Sequence, residues 1–172
     1  IEERFSRAAP GGFGYAKAAG NYAGQFYPTE LAKAEGYQQV VWTDANTHSY
    51  IEEAGTMNIF VRLGDQLFTS PTSDTILDGI TRKSMITLCK DLGIDIKERS
   101  VSVAELIKGF ETGELKELFG VGTAAVVSEI NSFGYQGIQY SIDEVENPYA
   151  LLLKKALTHT LLGRTEDPYR LI

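Results

Sequence analysis

Ile51-Glu52-Glu53-Ala54-Gly55-Thr56-Met57-Asn58-Ile59-Phe60-Val61-Arg62 ends in β-branched and aromatic residues, and its second half reads as a strand. Gly64-Asp65 then turns the chain back into a second strand, Gln66-Leu67-Phe68-Thr69. So short a link joins antiparallel neighbours, because parallel strands need a long crossover. Upstream, Gln39-Val40-Val41-Trp42-Thr43 reads as a strand closed by Asp44-Ala45-Asn46-Thr47. A helix is predicted from near Asn21 to Gly36, kinked or broken at Pro28. Residues 2–8 read as a short strand.

Downstream, Asp78 is the predicted N-cap of a helix to about Leu92, striped by Met85, Leu88, Cys89 and Leu92 and stopped by Gly93. Residues 94–99 read as a strand. Ser102-Val103-Ala104-Glu105 is a capping box opening a helix to about Glu111. Glu117 to Val127 reads as strand, glycine turn, strand, and Gly134-Tyr135-Gln136-Gly137 marks a further hairpin. Asn147 as N-cap and Pro148 at the first helical position open a last helix, which ends at Gly163. Strands and helices mix without regular alternation, so the fold class is α+β with a mixed or antiparallel sheet. No glycine fingerprint sits between a strand and a helix with a downstream acid, which disfavours a dinucleotide fold.

A chain of 172 residues can bury one sizeable core. Its net charge of −7 argues against nucleic acid as a partner. No apolar run reaches the ~18 residues of a membrane span, and Ile1-Glu2-Glu3-Arg4 is no signal peptide. The first residue is not Met, so the chain is expected to begin inside a longer one. Cys89 is the one cysteine, so no internal disulfide forms and a cytoplasmic location is expected. His48 and His159 are far apart in sequence, and no cluster has metal-ligand spacing.

The chemistry gathers around Gly11-Gly12-Phe13-Gly14-Tyr15-Ala16-Lys17-Ala18-Ala19-Gly20-Asn21-Tyr22. Lysine forms Schiff bases with carbonyl groups when its amine is neutral, and burial lowers its pKa. Lys17, expected to be buried among glycines, is thus a candidate anchor for an aldehyde cofactor. Tyr22 could donate to a ring oxygen. Glu53 could sit against a protonated ring nitrogen and strengthen that ring as an electron sink. Gly79-Ile80-Thr81-Arg82 opens a helix, whose free N–H groups favour a phosphate. Gly120-Val121-Gly122-Thr123 offers further donors. An aldehyde, a pyridine nitrogen and a phosphate together describe pyridoxal 5′-phosphate. Each piece also has an ordinary reading: a solvated Glu52–Glu53 pair, a loop glycine at 79, a tight turn at 120–122.

These stretches, with Gln39-Val40-Val41-Trp42, Glu53 to Phe60, Ile76 to Arg82 and Phe119 to Ala124, fall in one order over nearly the whole chain. That order resembles the C-terminal half of the branched-chain amino acid aminotransferases, pyridoxal-phosphate enzymes of fold type IV. The resemblance implies a pseudo-barrel sheet with flanking helices, the large domain of the D-amino acid aminotransferase-like fold. It implies Lys17 as the Schiff-base lysine that also shuttles the proton, Tyr22 near the ring hydroxyl and Glu53 on the ring nitrogen. The amides of Ile80 and Thr81 and the hydroxyl of Thr123 match phosphate ligands. Thr56 and the Ala124 amide match groups receiving the substrate carboxylate. The implied reaction moves the amino group of Leu, Ile or Val to 2-oxoglutarate, giving branched 2-keto acids and glutamate, in a homodimeric enzyme.

There are departures. Asp78 stands where the family often has proline. Ala125 and Ser128 replace the cysteine pair of mammalian members, so no thiol regulation of that kind is expected. Nothing in this chain corresponds to the family's smaller N-terminal domain, which supplies a phosphate-binding arginine and much of the substrate pocket. A D-amino acid transaminase or aminodeoxychorismate lyase on the same chassis is the rival reading, as is a folded but non-catalytic domain.

Overall fold

The computed structural model describes residues 1–165. Among these residues, ten strands and five helices follow one another without regular alternation. They are α1 (Gly20–Ala23), α2 (Phe26–Ala34), β1 (Val41–Thr43), β2 (Tyr50–Ala54), β3 (Met57–Leu63), β4 (Gln66–Thr69), α3 (Ile80–Asp91) and β5 (Ile96–Glu98). Then come β6 (Val101–Ser102), α4 (Val103–Glu111), β7 (Leu115–Gly122), β8 (Val126–Glu129), β9 (Ser132–Tyr135), β10 (Ile138–Ser141) and α5 (Tyr149–Leu161).

Strands β1 to β8 form one mixed sheet, and β9 and β10 form a separate hairpin. β3 is central. Antiparallel β7 lies along one edge, while β2 and β4 share the other. β4 and β5 make a parallel pair; the other pairings are antiparallel. These pairings do not close the sheet into a barrel.

Side chains alternate between the faces of a strand, and here both faces are covered. Ile59, Val61, Phe68 and Leu118 point to one side, packing with Leu106 of α4 and Phe133 of β9. Phe60, Leu67 and Phe119 point to the other, against Met85 and Cys89 of α3 and Leu153 and Leu157 of α5. Phe60 and Phe119 stack with centroids 5.4 Å apart. Cys89 is a buried hydrophobe here, its thiol pushed up to about 12 by burial.

The β3–β4 hairpin, the β9–β10 hairpin and the capping box stand as the sequence predicts. Ser102 Oγ accepts the Glu105 N–H at 3.0 Å, though the Glu105 carboxylate turns to Arg99 instead of completing the box. Four expectations are corrected and one unassigned segment, 50–54, is added as a strand. Residues 2–8 are not a strand: the Glu2 carboxylate folds back onto the N–H groups of Glu3, Arg4 and Phe5, and such local bonds displace a ladder. The helix predicted from Asn21 to Gly36 is two helices, broken at Gly24-Gln25. Pro28 lies in the first turn of α2, where a missing N–H costs nothing. Residues 50–54 are a strand despite two adjacent glutamates. Asp78 is not the cap of α3; Gly79 is, and Asp78 pairs with Lys83. Pro148, not Asn147, is the N-cap of α5, whose first N–H groups, on Tyr149 and Ala150, are taken by Glu117 of β7 at 2.8 and 2.9 Å.

Among the described residues, no helix is long and apolar enough to cross a membrane.

Candidate active site

Glu53 pairs in the ladder with Trp42 on one side and Asn58 on the other. It is 3% exposed, a costly place for a charge unless partners are supplied. They are supplied. Arg7 Nε pairs with Oε2, while Oε1 accepts from Asn58 Nδ2 at 3.1 Å and from the Leu77 N–H at 3.2 Å. Burial nevertheless pushes the Glu53 carboxyl up to about 7, against the lowering pull of Arg7 and the Leu77 N–H.

Arg7 joins this carboxylate to the glycine loop. Its guanidinium also donates to the Gly14 carbonyl at 3.0 Å and to the Thr75 carbonyl. The loop is fixed at further points. Asn21 Nδ2 donates to the carbonyls of Phe13, at 2.9 Å, and Ala16, at 2.8 Å. The Tyr15 N–H reaches the Asp74 carbonyl at 3.2 Å. Lys17 follows directly on the Asn21 latch. Its side chain is exposed, not buried as the sequence reading expected. Tyr22 is half-buried in α1.

Glycine at 14 is required by space. A Cβ there would lie 2.7 Å from the Asp74 carbonyl oxygen and 2.8 Å from Thr75 Cα, both backbone atoms. Gly14→Ala is expected to destabilise by about 1–3 kcal/mol, read by urea denaturation, because the loop must move off residues 74–75.

Asn58 extends the network to α3. Its Nδ2 also donates to the Leu77 carbonyl at 2.8 Å, and a Cβ on Gly79 would run into its Oδ1. Gly79 brings no side-chain cap to α3, and the first turn carries no acidic residue. The opening N–H groups, Ile80 and Thr81 among them, are therefore free of side-chain acceptors. Ile80 is 73% exposed. This end of the helix suits a phosphate, and the buried carboxylate beside it suits a protonated ring nitrogen. The donor set fits pyridoxal phosphate.

The β2–β3 turn and the β7–β8 turn lie at the same end of the sheet. Asn58 pairs with Val121, and a Cβ on Gly120 or Gly122 would crowd the Met57 side chain. Thr56, Thr123 and Ala124 are exposed on these neighbouring turns. Thr56, Thr123 and Ala124 thus lie at one end of the sheet, and Leu77 bonds Glu53 and Asn58 just before the α3 opening that carries Ile80 and Thr81. Lys17 lies on the glycine loop that Arg7 ties to Glu53, and Tyr22 follows it in α1.

Sequence reasoning missed Arg7, Asn21, Asn58 and Thr75. A signal existed for the first: a glutamate placed inside a core needs a cation, and Arg7 precedes the glycine loop.

Residues 2–133 match the family described as amino-transferase class IV. The chain belongs to the class IV aminotransferases. It is 42% identical over 171 residues to a probable branched-chain-amino-acid aminotransferase of Staphylococcus epidermidis, covering 98% of this chain and 48% of that protein. It superposes on the branched-chain amino acid aminotransferase from Escherichia coli with a TM-score of 0.80 and 32% identity, over 97% of this chain and 53% of that one. The branched-chain aminotransferase from the archaeon Thermoproteus uzoniensis, solved with norvaline, gives 0.74 at 30% identity, over 89% of this chain and 47% of that one. The chain therefore spans about half the length of the curated relatives it matches. The class IV aminotransferase fold accounts for the α+β order read from sequence.

Proposed function

We propose that this chain is the pyridoxal-phosphate-binding domain of a branched-chain amino acid aminotransferase, transferring the amino group of Leu, Ile or Val to 2-oxoglutarate. One observation carries the reading: Arg7 ties the Lys17 loop to a buried carboxylate, Glu53, at the foot of an uncapped helix. The names of the relatives supply the substrate class.

Bound pyridoxal phosphate would supply a conjugated ring able to take up the electron pair left on the substrate α-carbon. Lys17 Nζ would hold the cofactor by its aldehyde carbon, with loss of water, and, once displaced by the substrate amine, would take the proton from the substrate α-carbon as general base and deliver it to the cofactor carbon as general acid. Glu53 would accept the ring N–H. The Ile80 and Thr81 amides and the Thr123 hydroxyl would hold the phosphate, and Tyr22 would face the ring hydroxyl. Thr56 and the Ala124 amide would receive the substrate carboxylate. Leucine and valine differ by one methylene, ~1–3 kcal/mol of discrimination, so broad use of both fits.

As in the fold type IV enzymes, the sheet would curl into a pseudo-barrel, a smaller N-terminal domain would complete the pocket, and two copies would pair as a cytoplasmic homodimer. The test is an assay of the full-length protein with pyridoxal phosphate and 2-oxoglutarate. Glutamate is expected to form with L-leucine, L-isoleucine and L-valine and not with D-alanine. Turnover of D-alanine with none of the branched L-amino acids overturns the reading.

A further inference from the structure

Glu52 is a buried acid that the proposed chemistry does not use. Consecutive residues of a strand ordinarily point to opposite faces. Here Trp42 pairs with Glu53 and Thr43 with Ile51, so Glu52 is the extra residue of a β-bulge. Bulges re-aim side chains and are common beside active sites. The result is that both carboxyls reach one polar cluster. Thr75 links them: its hydroxyl donates to Glu52 Oε1 at 2.6 Å, and its carbonyl accepts from the guanidinium that pairs with Glu53.

The cluster holds two carboxyls and one guanidinium, all largely buried: Glu52 is 8% exposed and Arg7 9%. Two anions on one buried cation leave an uncompensated charge. The other charges that act on Glu52, those of Asp44 and Asp74, are also acidic. The donors show which carboxyl is the surplus. Glu53 has the guanidinium, the Asn58 amide and the Leu77 N–H. Glu52 has one hydroxyl, and its Oε2 is buried with no partner. A neutral oxygen in that position costs far less than a charged one.

We propose that Glu52 is a positioning residue that carries a proton in the folded protein, leaving the whole charge of Arg7 to Glu53. Burial raises the Glu52 carboxyl. Burial raises Glu53 as well, with a charge on Glu52 adding to the rise, so a proton on Glu52 removes one of the two causes that hold Glu53 up. The benefit to the active site, an anionic Glu53 ready for a ring nitrogen, rests on the function proposed above; the protonation itself does not.

The test compares Glu52→Gln with Glu53→Gln in the cofactor-free protein. Glutamine copies a protonated glutamate, so Glu52→Gln is expected to unfold at or above the wild-type temperature near neutral pH, and Glu53→Gln below it. The sign with pH is fixed. A group held protonated by folding contributes stability at low pH and loses it as pH rises through its folded pKa. The Glu52→Gln variant therefore gains on wild type as pH rises, by ~3–5 °C for each tenfold by which folding strengthens the proton's hold. At a pH well above 7, where Glu53 is ionised, the infrared carbonyl band of a buried carboxylic acid is expected in wild type and Glu53→Gln and absent from Glu52→Gln. The reverse ranking, equal losses in both variants, or a band that survives Glu52→Gln overturns the proposal. Failure of the protein to bind pyridoxal phosphate, with the ranking intact, overturns only the reading of function.

Discussion

Alanine at position 17 is expected to abolish transamination by the full-length protein while leaving the fold in place. In the proposed function the Lys17 amine bonds the aldehyde and moves the proton, and losing a positioned acid–base group costs at least ~10²–10⁴-fold in rate. Lys17 is exposed, so its truncation removes little packing, and unfolding free energy should stay within about 0.5 kcal/mol of wild type. The absorbance of bound pyridoxal phosphate should shift to that of the free aldehyde. Wild-type turnover together with an unchanged spectrum would show that another amine serves.

Arg7→Met is expected to have the largest effect on stability. The change removes the cation from a pair whose members are buried and leaves Glu53 without it, a loss of about 3–5 kcal/mol. It also frees the Gly14 and Thr75 carbonyls from their shared donor. The deficit depends on pH. With Arg7 present, Glu53 already lies near 7, above the ordinary carboxylate range. A folded-state pKa above the unfolded one means stability that is full below the unfolded pKa and falls as pH climbs through the folded value. Removing the guanidinium raises that value further, so the decline continues to higher pH. Denaturation near pH 5 should show the smallest gap between variant and wild type, and at pH 8 a larger one. Cofactor affinity should fall as well, since a protonated Glu53 offers the ring N–H a neutral acceptor in place of a charged one. An equal deficit at both values would mean that packing, not charge, is what Arg7 supplies.

Local signals carried much of the fold. Gly64-Asp65, Gln136-Gly137 and Ser102 through Glu105 act through their nearest neighbours, so their elements could be read directly. Gly64 and Gly137 both take positive φ, as tight hairpin turns require. The misreadings share a cause in long-range partners. Two glutamates in a row look solvated until the guanidinium of Arg7, far back in the chain, is known to reach Glu53. The start of α5 is satisfied by Glu117, 32 residues before Tyr149, which no local pattern contains. The site divides in the same way. Lys17, Glu53 and the α3 opening were recognisable as residue types in a fixed order, whereas Arg7 and Asn58 matter through the groups they join.

The centrality of β3 also governs where the molecule can breathe. Bonded along both edges, it offers amide hydrogens no route to solvent short of global unfolding, and Asn58 belongs to it. The glycine segment has no ladder at all and is held by a handful of side-chain clasps. Isotope exchange should therefore finish early across residues 11–17 and late across 58–61. The Arg7 guanidinium spans the frontier between the two regimes, so Lys17 sits on the yielding side of a rigid floor.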